Sequence, residues 1–132
     1  MRQNPTDREL DILKILWSRG ESTVREVYEQ LREEAPIVQN TVQSLLRTME
    51  QKGLVAHRLK KRAFVYRPRN QKDQTVRGMA GRLLDSVFGG AMDQLVDCLF
   101  SHRRPNEHEL RRLEELVEAA KAKDIDRSNR NQ

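Results

Sequence analysis

Residues 38–69 read VQNTVQSLLRTMEQKGLVAHRLKKRAFVYRPR, and the apolar period changes inside them from helical to alternating. Val42, Leu45, Leu46 and Met49 recur at spacings of three and four, which predicts a helix starting near Val38 and closed by Gly53. Its other side carries Gln39, Asn40, Thr41, Gln43, Ser44, Arg47 and Thr48. A solvated helix face ordinarily carries salt-bridged Glu/Lys pairs. Amides, hydroxyls and an Arg are the side chains that read base edges and grip phosphates, so these seven are the candidate DNA-contacting residues of the helix; Gln39 and Asn40, at its start, fit equally as caps. Next, Leu54–Leu59 and Ala63–Arg67 form two β-type runs around Lys60, Lys61 and Arg62, which predicts a hairpin with a basic tip. The turn has no Asn-Gly, so its type stays open. Phe64 and Tyr66 alternate with Val65, so one face should pack and the other lie exposed; Pro68 ends the second strand.

The charge distribution singles out the same stretch. The chain has 132 residues and a net charge of +5. Residues 38–69 hold eight Lys/Arg and only Glu50 as an acid, while residues 1–37 sum to −2 and residues 70–132 to zero. A positive field confined to one block suits a polyanion-binding face. Lys60, Lys61 and Arg62 are the candidate phosphate contacts.

Upstream, Thr6 with Glu9 and Thr23 with Glu26 have the spacing of capping boxes. Each precedes a helical stripe: Leu10, Ile12, Leu13, Leu16 and Trp17 in the first, then Val24, Val27, Tyr28 and Leu31. Gly20 is expected to end the first helix as a left-handed cap, and Pro36 to stop the second. Trp17 and Tyr28 lie on these stripes and are read as core, not as base-stacking groups. Three helices followed by a hairpin is the order of a winged helix-turn-helix, whose third helix enters the major groove. The fold class is therefore mainly α with a small β-hairpin wing.

Downstream the apolar stripes are helical and narrow. Val76, Met79, Leu83, Leu84 and Val87 make one, Leu95 and Leu99 another after Gly89-Gly90, and Leu113, Leu116 and Val117 a third, capped by Asn106 with Glu109. Three short helices without a sheet bury too little alone, so these residues are the candidate dimer interface. The expected organisation is a DNA-binding domain over residues 1–70, a helical dimerisation domain over 71–123 and a polar, disordered tail over 124–132. A twofold dimer would read a pseudo-palindromic site.

The run Asn40 to Val55 resembles the recognition-helix signature of the BlaI/MecI/CopY penicillinase-repressor family. So do Glu9–Trp17, Thr23–Val27, the Phe64-Val65-Tyr66 strand and Gly89-Gly90; the resemblance covers roughly residues 5–120. It implies a homodimeric repressor on an operator dyad. In the β-lactam branch a membrane-bound sensor metalloprotease, or a protease it activates, triggers cleavage in the tail. The matching segment here is Asp97, Cys98, Leu99 and Phe100, which has no Asn-Phe pair. The copper branch carries paired Cys-x-Cys motifs, whereas Cys98 is the sole cysteine, which argues against copper sensing.

Other classes find less support. A lone cysteine offers no disulfide, and Cys98 is expected to be a buried small hydrophobe. His57, His102 and His108 have no ligand set at metal spacing, so no metal or cofactor is expected. There is no nucleophile–base arrangement and no Gly-rich phosphate loop, which argues against an enzyme. Residues 1–6 lack the apolar core of a signal peptide and no run suits a membrane span, so a cytoplasmic location is expected. The rival reading is a winged-helix protein-interaction module without DNA readout; such a module has no reason to exclude acids from residues 38–69.

Overall fold

Thr6 and Thr23 start two helices by the same device. In the computed structural model, which describes residues 4–130, α1 is Asp7–Arg19 and α2 is Val24–Leu31. Thr6 Oγ1 accepts from the Glu9 N–H while the Glu9 carboxylate accepts from the Thr6 N–H, and Thr23 with Glu26 repeats the arrangement. A side-chain N-cap stabilises by about 1 kcal/mol. Gly20 caps α1 at φ 90° and ψ −165°, positive φ but outside the left-handed helical region expected of it. The second helix ends at Leu31, ahead of Pro36, because the Leu31 carbonyl accepts turn bonds from Glu34 and Ala35 before the proline is reached.

α3 is Gln39–Gln51. It ends in a Schellman motif: the Leu54 N–H reaches the Met49 carbonyl at 2.9 Å and the Gly53 N–H reaches Glu50 at 3.0 Å. Gly53 sits at φ 83°, a conformation that costs a residue with a Cβ but not glycine. Ile12, Leu13 and Leu16 of α1, Val27 and Leu31 of α2, and Val42, Leu46 and Met49 of α3 close one core with Leu54, Val55 and Tyr66. Trp17 and Tyr28 pack against that core, and the Trp17 indole N–H donates to the Asn70 carbonyl at 2.9 Å.

The hairpin is β2 (Val55–Lys60) and β3 (Ala63–Pro68). A further strand, β1 (Ser22–Thr23), pairs with the other edge of β3, giving the antiparallel order β1-β3-β2. Two residues between helices carry no alternation to read, so β1 is invisible to periodicity. Burial on β3 departs from simple alternation: Val65 and Tyr66 are both buried and Phe64 is exposed. Register explains it. Phe64 shares a face with Tyr66 but lies beyond the core, and Val65 sits on the opposite face between Thr23 and Arg58.

The chain divides into two compact units between Leu83 and Leu84, inside α4 (Lys72–Val87). In the first unit the start of α4 closes a small cavity with Asn4, Pro5 and Leu54. The second unit holds the end of α4, α5 (Met92–His102) and α6 (Glu107–Arg130). Asn106 and Glu109 form a reciprocal cap, and Arg103 ties the end of α5 to it through two bonds to Glu109 at 2.9 and 2.8 Å. Residues 124–130, expected as a disordered tail, are helical in the structure, since no Gly or Pro interrupts α6 after its cap; Asn131 and Gln132 lie outside the described residues. Cys98 is exposed on α5, not buried, because nothing among the described residues covers the apolar stripe around it.

Candidate nucleic-acid interface

The helix α3 presents two rows of polar side chains. Gln39, Gln43 and Arg47 follow one i, i+4 row, and Asn40, Ser44 and Thr48 the next. All are exposed except Gln43, which is half-buried; Thr41 is exposed beside them. Neither Gln39 nor Asn40 acts as a cap: the N-cap is Val38, with no side-chain hydrogen bond. Unlike α1 and α2, α3 has no capping box and no acid in its first turn. Its first N–H groups and the positive end of its dipole are thus left for an anion from outside.

Gln43, Arg47, Glu50 and Gln51 line a cleft of about 490 Å³ against His57, Phe64 and Tyr66 of the hairpin. His57 Nδ1 lies 2.5 and 2.8 Å from the two Glu50 carboxylate oxygens. Its ring meets Phe64 edge-on at 4.8 Å and leans on Tyr66 at 5.5 Å. Burial and the Glu50 charge push the Tyr66 phenol up, with Arg47 opposing them. The Glu50–His57 contact therefore joins α3 to the wing, and the two ring contacts hold His57 within the hairpin.

Lys60 pairs with Ala63 across the hairpin, leaving Lys61 and Arg62 as the two central turn residues. They adopt φ 49° and 68°. Positive φ at both central positions is the type I′ turn, the twist-matched hairpin connection. Lys and Arg pay for it, since left-handed backbone costs about 1–2 kcal/mol per residue with a Cβ. Both side chains are exposed at the tip.

The structure separates these cations into two groups. Among the described residues Arg47, Lys61, Arg62 and Arg67 make no ion pair. Lys60 is engaged: its Nζ lies 3.6 Å from Glu21, which also binds Arg58. Glu21 comes from the acid-rich first 37 residues, so counting charge along the chain overlooks it. Arg67, an exposed cation on β3, also escaped the list of candidates; its signal was its place in the acid-poor block.

The candidate dimer residues divide between units. Val76 and Leu83 are exposed and Met79 half-buried in the first; Val87, Leu99, Leu116 and Val117 are exposed and Leu84, Leu95 and Leu113 half-buried in the second. No residue of α5 is buried, and none of α6 among residues 107–127. Asp97, Cys98, Leu99 and Phe100 are exposed in the middle of α5.

A model of the penicillinase repressor family matches residues 5–119. The penicillinase repressor of Bacillus licheniformis is 22% identical over 116 residues, which cover 88% of this chain and 91% of that protein. The solved DNA-binding domain of the repressor BlaI is 28% identical, covers 55% of this chain and 90% of its own, and superposes with a TM-score of 0.48. The Bacillus licheniformis BlaI monomeric form in complex with the blaP half-operator is 26% identical, with coverage of 55% and 89% and a TM-score of 0.49.

Proposed function

The chain belongs to the penicillinase repressor family, a family of repressors and not of enzymes, and from that premise we propose that it represses transcription as a homodimer bound to a pseudo-palindromic operator. One observation carries the reading: α3 presents exposed rows of amides and hydroxyls, Gln43 and Arg47 line a cleft against the hairpin, and Arg47, Lys61, Arg62 and Arg67 make no ion pair among the described residues. A helix of this width fits the major groove, where Asn and Gln read adenine, Arg reads guanine, and Ser or Thr serves either. Gln39, Asn40, Thr41, Gln43, Ser44, Arg47 and Thr48 are assigned to that groove. Lys61 and Arg62 are assigned to the backbone beside it, with Lys60 a weaker contact because Glu21 holds it.

Dimerisation supplies the second half-site. The apolar side chains of Val87, Leu99, Leu116 and Val117 are exposed in the single chain, and burying each stabilises by about 1.5–3 kcal/mol. Release from DNA by proteolysis at Asp97–Phe100 requires more than exposure. Those residues are helical, so the centre of α5 must unwind to enter a protease cleft.

Selection of bound duplexes from a random pool by the full chain tests the reading. It predicts recovery of two inverted half-sites spaced by about one helical turn, 10–10.5 base pairs, or a multiple of it. Failure to enrich any sequence would remove the DNA-reading role and favour an interaction module.

A further inference from the structure

Glu21 lies in the turn between α1 and β1, outside the basic block, and reaches two of its cations. Arg58 Nε donates to Glu21 Oε2 at 2.9 Å, and a second guanidinium nitrogen of Arg58 donates to Glu21 Oε1. Lys60 Nζ stands 3.6 Å from the same Oε1. In the sheet β3 lies between β1 and β2, with Val65 flanked by Thr23 and Arg58, so the Arg58–Glu21 pair spans the sheet across β3. The Glu21 side chain is 26% exposed and Arg58 holds its carboxyl below the usual carboxylate range.

A carboxylate and a phosphate present the same forked acceptor to a guanidinium. An Arg that gives two donors to Glu21 cannot give the same donors to DNA. Resting on the DNA-binding reading above, we infer that Glu21 is a specificity-determining residue that occupies Arg58 and Lys60 and so withholds two sequence-independent phosphate contacts from non-operator DNA. The wing then grips through Lys61 and Arg62 at its tip, while α3 carries discrimination. The gain falls on non-specific binding. A protein on random DNA is free to rotate until any uncovered cation meets a phosphate. One docked through α3 has its orientation fixed.

The test measures affinity of the full chain against salt on two probes, a random-sequence duplex and a duplex enriched by selection. Glu21→Gln should tighten the random duplex about tenfold at low salt and steepen its log–log salt slope by about 1–2, near 0.9 per phosphate gained. The enriched duplex should change by less than about threefold, so the ratio of the two affinities falls. Arg58→Gln alone should leave both within about twofold, whereas Arg62→Gln should weaken both, and adding Arg58→Gln to Glu21→Gln should cancel most of the gain. An unchanged slope for Glu21→Gln would overturn the inference and leave Glu21 a structural tie. Weaker random-duplex binding would overturn it too, by showing that Glu21 aims Arg58 at phosphate. Arg58→Gln losses equal to those of Arg62→Gln would do the same without relying on the Glu21 variant. A wild-type chain that binds neither duplex would instead sink the DNA-binding reading itself.

Discussion

Glu9 is 1% exposed and yet charged, because two donors bond its carboxylate and Thr6 caps its backbone. Lys52 Nζ donates to it at 2.7 Å, the Thr6 N–H donates at 2.8 Å, and Thr6 Oγ1 receives its own N–H. Burial acts to raise its pKa, but Lys52 and Thr6 together outweigh burial and the net shift is downward. An acid whose folded pKa is depressed adds stability above its unfolded value, near 4.5, and loses it as pH falls through the folded value. Lys52→Met should therefore do two things. It should cost on the order of 2–3 kcal/mol at pH 7 by leaving a buried carboxylate unpaired. Between pH 7 and 5 it should also lose less stability than the wild type on acidification, because only the Thr6 bonds remain to hold the Glu9 pKa down against burial. Urea unfolding across that range checks both; a variant with the wild-type slope would show that Lys52 does not set the Glu9 charge. The Thr6–Glu9 half of this site was legible three residues apart. The Lys52 half was not, since 43 residues separate the partners and only the packing of α1 against the end of α3 joins them.

The wing turn shows the same divide among elements. Alternation around Lys60, Lys61 and Arg62 predicted a hairpin, and β2 and β3 form it. The turn type was unreadable because type I′ normally announces itself by Asn-Gly, and here two cations adopt the strained conformation. Strain kept at a basic tip fits selection for charge over stability. Replacing the pair by Lys61→Asn with Arg62→Gly should raise unfolding stability by about 1–2 kcal/mol, from the left-handed cost removed. It should also flatten the salt slope of DNA binding by about two phosphates' worth, near 0.9 each. A variant no more stable than wild type would refute the strain; one that kept its salt slope would take the tip off the DNA. Helices were read best where a polar cap and an apolar stripe agreed, as at Thr6, Thr23 and Asn106. The end of α2 was misplaced because turn bonds to the Leu31 carbonyl stop it before Pro36 does.

At the scale of the molecule, the first unit buries a core and the second leaves its apolar stripes open. That contrast was legible as narrow stripes without a sheet, although the division inside α4 was not. The start of α4 belongs with the first unit through the cavity it shares with Pro5 and Leu54, a contact no local pattern announces. Leu99→Glu with Leu116→Glu should convert a dimer to a monomer in sedimentation equilibrium, since each places a charge in an interface that dimerisation would desolvate. Operator affinity should fall with it, through loss of the effective concentration of the second half-site. A dimer that survives both changes would move the interface elsewhere.

Operator recognition rests on α3 reading bases, and Arg47 tests that most directly. Arg47 is exposed, free of ion pairs among the described residues, and lines the cleft between helix and wing. Arg47→Ala is measured on a selected duplex and on random DNA at one salt concentration. The prediction is a loss of about 1–3 kcal/mol on the selected duplex and relaxed preference at one base pair, with little change on random DNA. Equal losses on the two would make Arg47 a phosphate contact only and contradict base reading by α3.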